Sequence, residues 1–258
     1  MNSDTSGVSP YPVGVPATPR SVAELLALLT TDPGRPRLTW YSGEGERVEL
    51  SGAVLDNWVS KTANLLVEEY DAGPGTRALL DLPAHWRSVV WALAVWRVGA
   101  CVVLDRADDE AVDLVVTGRP DAHQGARDLV AVALPALARR FDGELPPGAV
   151  DAAAAVMTYA DRIGWAPTVD PGAVALAEPT GRTMHGHLFA AAGASTDGAE
   201  RVLLAPEDLG TALGDVLAVL TAAGSVVLVD GAMAAALRSD PARRARLVTG
   251  ERVTADRL

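Results

Sequence analysis

The chain carries a single cysteine and a single lysine in 258 residues. Cys101 lies in the apolar run Val98-Gly99-Ala100-Cys101-Val102-Val103-Leu104. One thiol excludes an intrachain disulfide and a thiolate zinc site, so Cys101 reads as a small core residue of a reduced, intracellular protein. Lys61 stands beside twenty-one arginines, a skew expected of high-GC coding, and almost every candidate for a lysine-dependent step is thereby removed. Long apolar runs are also missing, because Arg97 interrupts Val89 to Leu104 and Asp215 and Asp230 interrupt 212 to 236. No segment therefore qualifies as membrane-spanning. The first twenty residues place Pro10, Pro12, Pro16 and Pro19 among Ser and Gly, without the charged start and apolar core of an export signal. Residues 1–19 are expected to form a disordered lead-in, and the location to be cytoplasmic. Positive charge is short overall. A net charge of −11 and a pI near 4.8 repel polyanions, which excludes nucleic acid and an anionic membrane surface as main partners and favours a small neutral or carrier-bound ligand.

Hydrophobic residues, at 49%, are plentiful enough for a proper core. Ser21 caps a helix with Val22, Leu25, Leu26 and Leu29 at helical spacing, and Asp32-Pro33-Gly34 ends it. Leu38–Tyr41 and Val48–Leu50 flank Ser42-Gly43-Glu44-Gly45 as a hairpin. Ser51 opens a second amphipathic helix, followed by a buried strand over Arg77–Leu82, a helix from Trp86 to Val98 and a strand at Cys101–Leu104. The alternation continues with a strand over Val112–Val116, a helix from Arg127 to Phe141, and an Ala-rich helix near 150–162. Beyond residue 192 come a strand at Arg201–Ala205, a helix at Gly210–Ala222, a strand at Val226–Val229 and a basic helix from Pro241. Such spacing indicates an α/β fold, a mostly parallel sheet with helices on both faces. Most of the six tryptophans fall among apolar neighbours and are expected in the core.

Residues 174–192 read as an apolar strand, a small polar turn and an Ala-rich helix, the arrangement in which α/β proteins hold phosphates on unpaired backbone N–H groups. The turn contains neither G-x-x-x-x-G-K-[ST] nor G-x-G-x-x-G, and it has no lysine. His185 either caps the following helix or joins Arg182 and Thr183 in holding an anion. His185 and His187 with Glu178 and Asp197 are a poor metal set, since i, i+2 spacing does not put two rings on one helix face. Gly193-Ala194-Ser195-Thr196-Asp197 resembles a nucleophile elbow only up to its last position. Asp81 and His85 flank Pro83 at a strand end where ligand pockets open, a pairing that turn chemistry explains as well. Residues 238–258 hold six arginines against Asp240, Glu251 and Asp256, as a solvated or internally paired face would.

The order of these pieces has a counterpart. Leu38-Thr39-Trp40-Tyr41, Thr62-Ala63-Asn64-Leu65-Leu66, Gly73-Pro74-Gly75-Thr76-Arg77 and Trp91-Ala92-Leu93-Ala94-Val95-Trp96-Arg97-Val98-Gly99-Ala100 resemble the N-terminal part of adenylate-forming enzymes. These are the AMP-binding superfamily of acyl-CoA synthetases, peptide-synthetase adenylation domains and luciferases. Asp170-Pro171-Gly172-Ala173-Val174-Ala175-Leu176 resembles the run-in to that family's phosphate loop, and Arg201-Val202-Leu203-Leu204 with Ala223-Gly224-Ser225-Val226 resembles the strands on the loop's C-terminal side. The likeness spans about residues 20 to 235, as in a short, single-domain branch from high-GC bacteria, and implies one α/β domain over 20–258.

Departures from the pattern bear on activity. The family loop ends Thr-Gly-x-Pro-Lys-Gly; Thr180, Gly181 and Arg182 match, while Thr183, Met184 and His185 replace its Pro, Lys and Gly. Ala177, Glu178 and Pro179 stand where hydroxyls and glycine would meet phosphate, so one N–H is deleted and a negative charge is added. The chain also stops before the family's adenine loop, ribose-binding aspartate, hinge and catalytic-lysine domain, and Lys61 matches no catalytic position and reads as a solvated surface residue. No catalytic residue, metal or firm cofactor is therefore assigned, and ATP or AMP binding is expected to be weakened at a degenerate loop of Thr180, Gly181, Arg182, Thr183 and His185. Three readings stay open: a non-adenylating binding or regulatory pseudo-enzyme with an acyl or nucleotide-like ligand, a half-ligase completed by a partner protein, and a homodimeric interaction module.

Overall fold

The structure is a computed structural model and describes residues 18–105, 111–191 and 200–258. The described elements in chain order are α1 (Val22–Leu29), β1 (Pro36–Tyr41), β2 (Arg47–Ser51), α2 (Gly52–Tyr70), β3 (Arg77–Asp81), α3 (Trp86–Arg97), β4 (Cys101–Val103) and β5 (Leu114–Thr117). They continue with β6 (Asp128–Ala131), β7 (Val150–Asp151), α4 (Ala152–Ala155), β8 (Val174–Glu178), β9 (Gly181–Met184) and α5 (Leu188–Ala191). The last are β10 (Arg201–Leu204), α6 (Leu209–Thr221), β11 (Ser225–Val229), α7 (Gly231–Ser239), α8 (Pro241–Gly250) and β12 (Ala255–Asp256). The α/β, mostly parallel character agrees with the sequence pattern: only the hairpins β1–β2 and β8–β9 pair antiparallel.

The strands form two sheets rather than one, in the orders β12-β10-β11-β1-β2 and β7-β6-β5-β3-β4-β8-β9. Alternation along each strand explains the layering. Leu38, Trp40, Val202, Leu204, Val226 and Leu228 of the first sheet share one core with Ala78, Leu80, Val102, Leu114 and Val116 of the second. Between the two lie the apolar faces of α1, α2, α3 and α6. The intervening residues face outward, Leu203, Val227 and Val229 against Met233, Ala234 and Leu237 of α7, and Leu79, Val103 and Val115 into a smaller outer cluster. Helix α3 is apolar nearly all round, and eleven of its residues, Trp86 through Trp96, are buried. Trp96 donates its indole N–H to the carbonyl of Ala175 at 2.7 Å, which fixes β8 against the helix.

One expected helix does not form and another is cut short. Residues 127–141 supply strand β6 instead, because Leu129, Val130 and Ala131 pair with Val115, Val116 and Thr117, and Pro135 could not donate the N–H that a helix interior needs. The Ala-rich 150–162 stretch gives only β7, α4 and a 3₁₀ turn at Val156–Thr158. Helix α7 has no counterpart in the sequence reading; Asp230 caps it by accepting from the Met233 N–H at 2.6 Å. Lys61 also departs from a solvated role, since its ammonium donates to the Tyr159 carbonyl at 2.6 Å.

The C-terminal segment closes the first sheet through Glu251, which is 9% exposed. Its carboxylate accepts from Arg47 Nε at 2.9 Å, from the Tyr41 hydroxyl and from Arg201, whose Nε donates to the Glu251 carbonyl at 2.6 Å. Burial opposes ionisation, but these donors outweigh it and hold the carboxyl at about 2, below its ordinary 4.5. A depressed carboxyl contributes stability that is complete above its unfolded pKa and disappears as pH falls toward the folded one. Urea denaturation at a series of pH values should show stability decreasing below about pH 4.5. Glu251→Gln should lose about 1–3 kcal/mol at neutral pH and flatten that acid limb.

Candidate functional site

A cleft of about 880 Å³ opens at the C-terminal ends of β3, β4, β5 and β8, with the start of α6 as its far wall. Parallel α/β sheets place ligands at this edge. The pairing of β3 with β5 sets Asp81 opposite Thr117 at the last rung. The Thr117 hydroxyl, wholly buried, donates to Asp81 Oδ2 at 2.6 Å. Arg119 Nη2 reaches Asp81 Oδ1 at 2.6 Å, and His123 Nε2 lies 2.9 Å from Oδ2. Burial opposes the charge on Asp81, yet the bonds from Thr117, Arg119 and His123 together hold its carboxyl at about 2. Asp81 is thus an ionised anchor that fixes one cation and one imidazole at the cleft wall.

The opposite wall is acidic. Glu178, Glu207 and Asp208 face the cleft, and Asp105 with Asp81 brings the lining carboxyls among the described residues to five against the guanidinium of Arg119 and the imidazole of His123. Asp208 caps α6, accepting from the Thr211 N–H and hydroxyl at 2.8 Å each, and these bonds lower its pKa. A Cβ placed on Gly210 would lie 2.3 Å from Glu178 Oε1, so the Glu178 carboxyl rests directly on the first turn of α6. Burial first, and then the charge of Asp208, raise the pKa of Glu178.

The stretch 174–192 folds differently from its reading as strand, turn and helix. Glu178 pairs with Gly181, so Pro179 and Thr180 form the tip of a tight β8–β9 hairpin. Gly181 takes φ +151, a conformation that L side chains rarely adopt. The N–H groups of a following helix are consequently not at this turn. Thr180 reaches the cleft, and Gly181 and Arg182 line a depression of about 270 Å³ beside it with Asp105 and Glu178. Thr183 pairs with Leu176 within the hairpin. His185 is drawn elsewhere: it is buried, its backbone N–H donates to the Ala173 carbonyl at 2.9 Å, and it lines a small pocket with Trp96 and Phe189. Burial lowers its pKa, and the neighbouring backbone of Gly99 and Ala100 opposes that shift. It is not the helix cap either, since Met184 occupies that position. His187 is exposed while His185 is buried, and Asp197, with the Gly193–Asp197 stretch, lies outside the described residues.

His85 likewise leaves Asp81 to other partners. Its ring packs against Trp40 at 4.6 Å, and its Nδ1 accepts from the Arg87 N–H at 3.1 Å to cap α3. Burial and then Arg87 push its pKa down to about 3, so it stays neutral. The partners that matter, Thr117, Arg119 and His123, lie beyond a crossover and carry no local signature; the β3–β5 register alone reveals them. Among the described residues no group of three or more His, Cys, Asp or Glu is placed to hold a metal ion, and no helix is long and apolar enough to cross a membrane.

No family model matches the chain. A "TIGR03089 family protein" from Mycobacterium tuberculosis is 34% identical over 252 residues, spanning 92% of this chain and 97% of that protein. The chain belongs to the TIGR03089 family. Acetoacetyl-CoA synthetase from Streptomyces lividans superposes with a TM-score of 0.67 at 19% identity, over 81% of this chain. The chain spans 38% of the synthetase, and the likeness shows that this TIGR03089 family member shares the fold of that part. Its Asp81 cluster gives a direct test: Asp81→Asn should cost about 1–3 kcal/mol in chemical denaturation, because Arg119 and His123 lose a charged acceptor. The His123 ring resonances should move in the same variant.

Proposed function

We propose that the protein is a non-adenylating member of the adenylate-forming fold, a binding or regulatory domain whose cleft takes a small ligand without phosphate groups. The observation that carries this reading is the crowding of carboxyls at the start of α6: Asp208 already accepts the Thr211 N–H that an anion would otherwise use, and the Glu178 carboxyl rests against Gly210 beside it on the cleft wall. Among the described residues, a triphosphate entering there meets five carboxyls and the guanidinium of Arg119. At the short separations inside a cleft such repulsion amounts to several kcal/mol per close pair. The hairpin at Pro179-Thr180 supports the same reading, because Pro179 has no N–H to donate to a phosphate.

The test is pyrophosphate exchange across a panel of carboxylic acids, with melting-point measurements in ATP and magnesium. The wild type is expected to show neither exchange nor a rise in melting point. Glu178→Gln, which removes the charge and keeps the shape, should allow a measurable rise with ATP by mass action. Clear ATP-dependent exchange by the wild type would overturn the proposal.

A further inference from the structure

A second concavity, of about 350 Å³, lies at the other end of the molecule among α1, α2, the last turn of α3 and the segment around Arg162. Helix α3 begins beside the cleft, just after β3, and ends at Arg97 just before β4, so its twelve residues separate the two sites by about 18 Å. Besides Thr30, whose hydroxyl is spent on the Leu26 and Ala27 carbonyls, four polar side chains line the groove: Asp56 and Ser60, one turn apart on α2, Arg97 on α3, and Arg162. Among the described residues none of the four side chains makes a hydrogen bond or a close ion pair with another protein group. The charges nevertheless face one another, since both guanidiniums act on Asp56 and Asp56 acts on Arg97. Burial raises the pKa of Asp56 and lowers that of Arg97, so each charge is partly stripped of water without gaining a direct partner.

The placement is built rather than incidental. Asn64, 4% exposed, donates from Nδ2 to the carbonyls of Ala160 and Arg162 at 2.9 Å each. With the Lys61 bond to Tyr159, these tie the segment carrying Arg162 onto α2. The remaining wall is apolar, formed by Ala23, Leu26, Ala27 and Ile163. Convergent polar groups with unused bonding capacity beside an apolar wall are the features of a small-molecule site.

We propose that this groove binds a small zwitterion of the α-amino-acid type, its carboxylate held by Arg97 and Arg162, its ammonium by Asp56 with the Ser60 hydroxyl, and an aliphatic side chain against Leu26 and Ile163. A simple anion would leave Asp56 repelled and unpaired, and a simple cation would do the same to the arginines. Only a ligand carrying both charges satisfies the two sides at once.

Isothermal titration of the full chain with L-leucine tests this, with 4-methylpentanoate, which lacks the ammonium, and 3-methylbutylamine, which lacks the carboxylate, as controls. L-Leucine is expected to bind about tenfold or more tightly than either control. Asp56→Asn and Arg97→Gln should each remove most of that advantage. Arg162→Gln, at an exposed position, supplies the same comparison should either variant fail to fold. Absence of L-leucine binding would overturn the proposal, and so would equal binding of L-leucine and 4-methylpentanoate, which would mark a plain anion site. These outcomes are independent of the cleft, since Glu178→Gln, at the cleft wall, should leave L-leucine binding unchanged.

Discussion

The structure depends on one buried helix. With Trp86 through Trp96 buried, α3 can exist only when wrapped by apolar surface, which α2, with α1, α6 and the two sheets, supplies. Its ends then dictate chemistry. The N-terminus follows β3 and so delivers Asp81 to the cleft, while the C-terminus leaves Arg97 in the opposite groove. Along its length, the Trp96 indole bond to Ala175 sets the height of β8 and with it the position of Glu178. A volume change in α3 would therefore be transmitted to both concavities, since close-packed interiors shift neighbouring elements rather than absorb the strain.

The two ends treat charge in contrasting ways. In the cleft the polar groups are spent on one another: Asp81 satisfies Thr117, Arg119 and His123, and Asp208 satisfies the first turn of α6. The surface left open to a ligand is a carboxyl-rich wall centred on Glu178. In the groove the reverse holds, because Asp56, Arg97 and Arg162 are held at a distance by the scaffold and keep their bonding capacity. A site whose groups are already paired positions and excludes, whereas one whose groups are unpaired is arranged to receive. Membership of the TIGR03089 family and a fold shared with part of a synthetase are compatible with either use, since a fold specifies a framework and function resides in particular side chains.

Much of this is legible in the sequence, and the failures share a cause. Strong local signals hold: Ser21 and Ser51 cap α1 and α2, accepting from Glu24 and Val54, and the β1–β2 hairpin forms about the expected turn. The helix expected at 127–141 fails because Leu129–Ala131 fits a strand as readily as a helix, and the neighbouring strand β5 makes the choice. His185 reads as part of the loop because it lies four residues beyond Gly181, but the hairpin reverses the chain and turns it inward toward Trp96.

Composition and periodicity by themselves determined the alternating α/β character, the parallel preference of the apolar strands and the net negative charge. Those properties are local or additive, so they can be read residue by residue. Tertiary structure alone decided that the strands divide into two sheets around α3, that Asp81 pairs with Thr117, Arg119 and His123 instead of His85, and that Asp56, Arg97 and Arg162 face one groove. These depend on strand register and helix direction, which bring together residues distant in the chain, and pairing of that kind leaves no mark on the neighbours of any one residue.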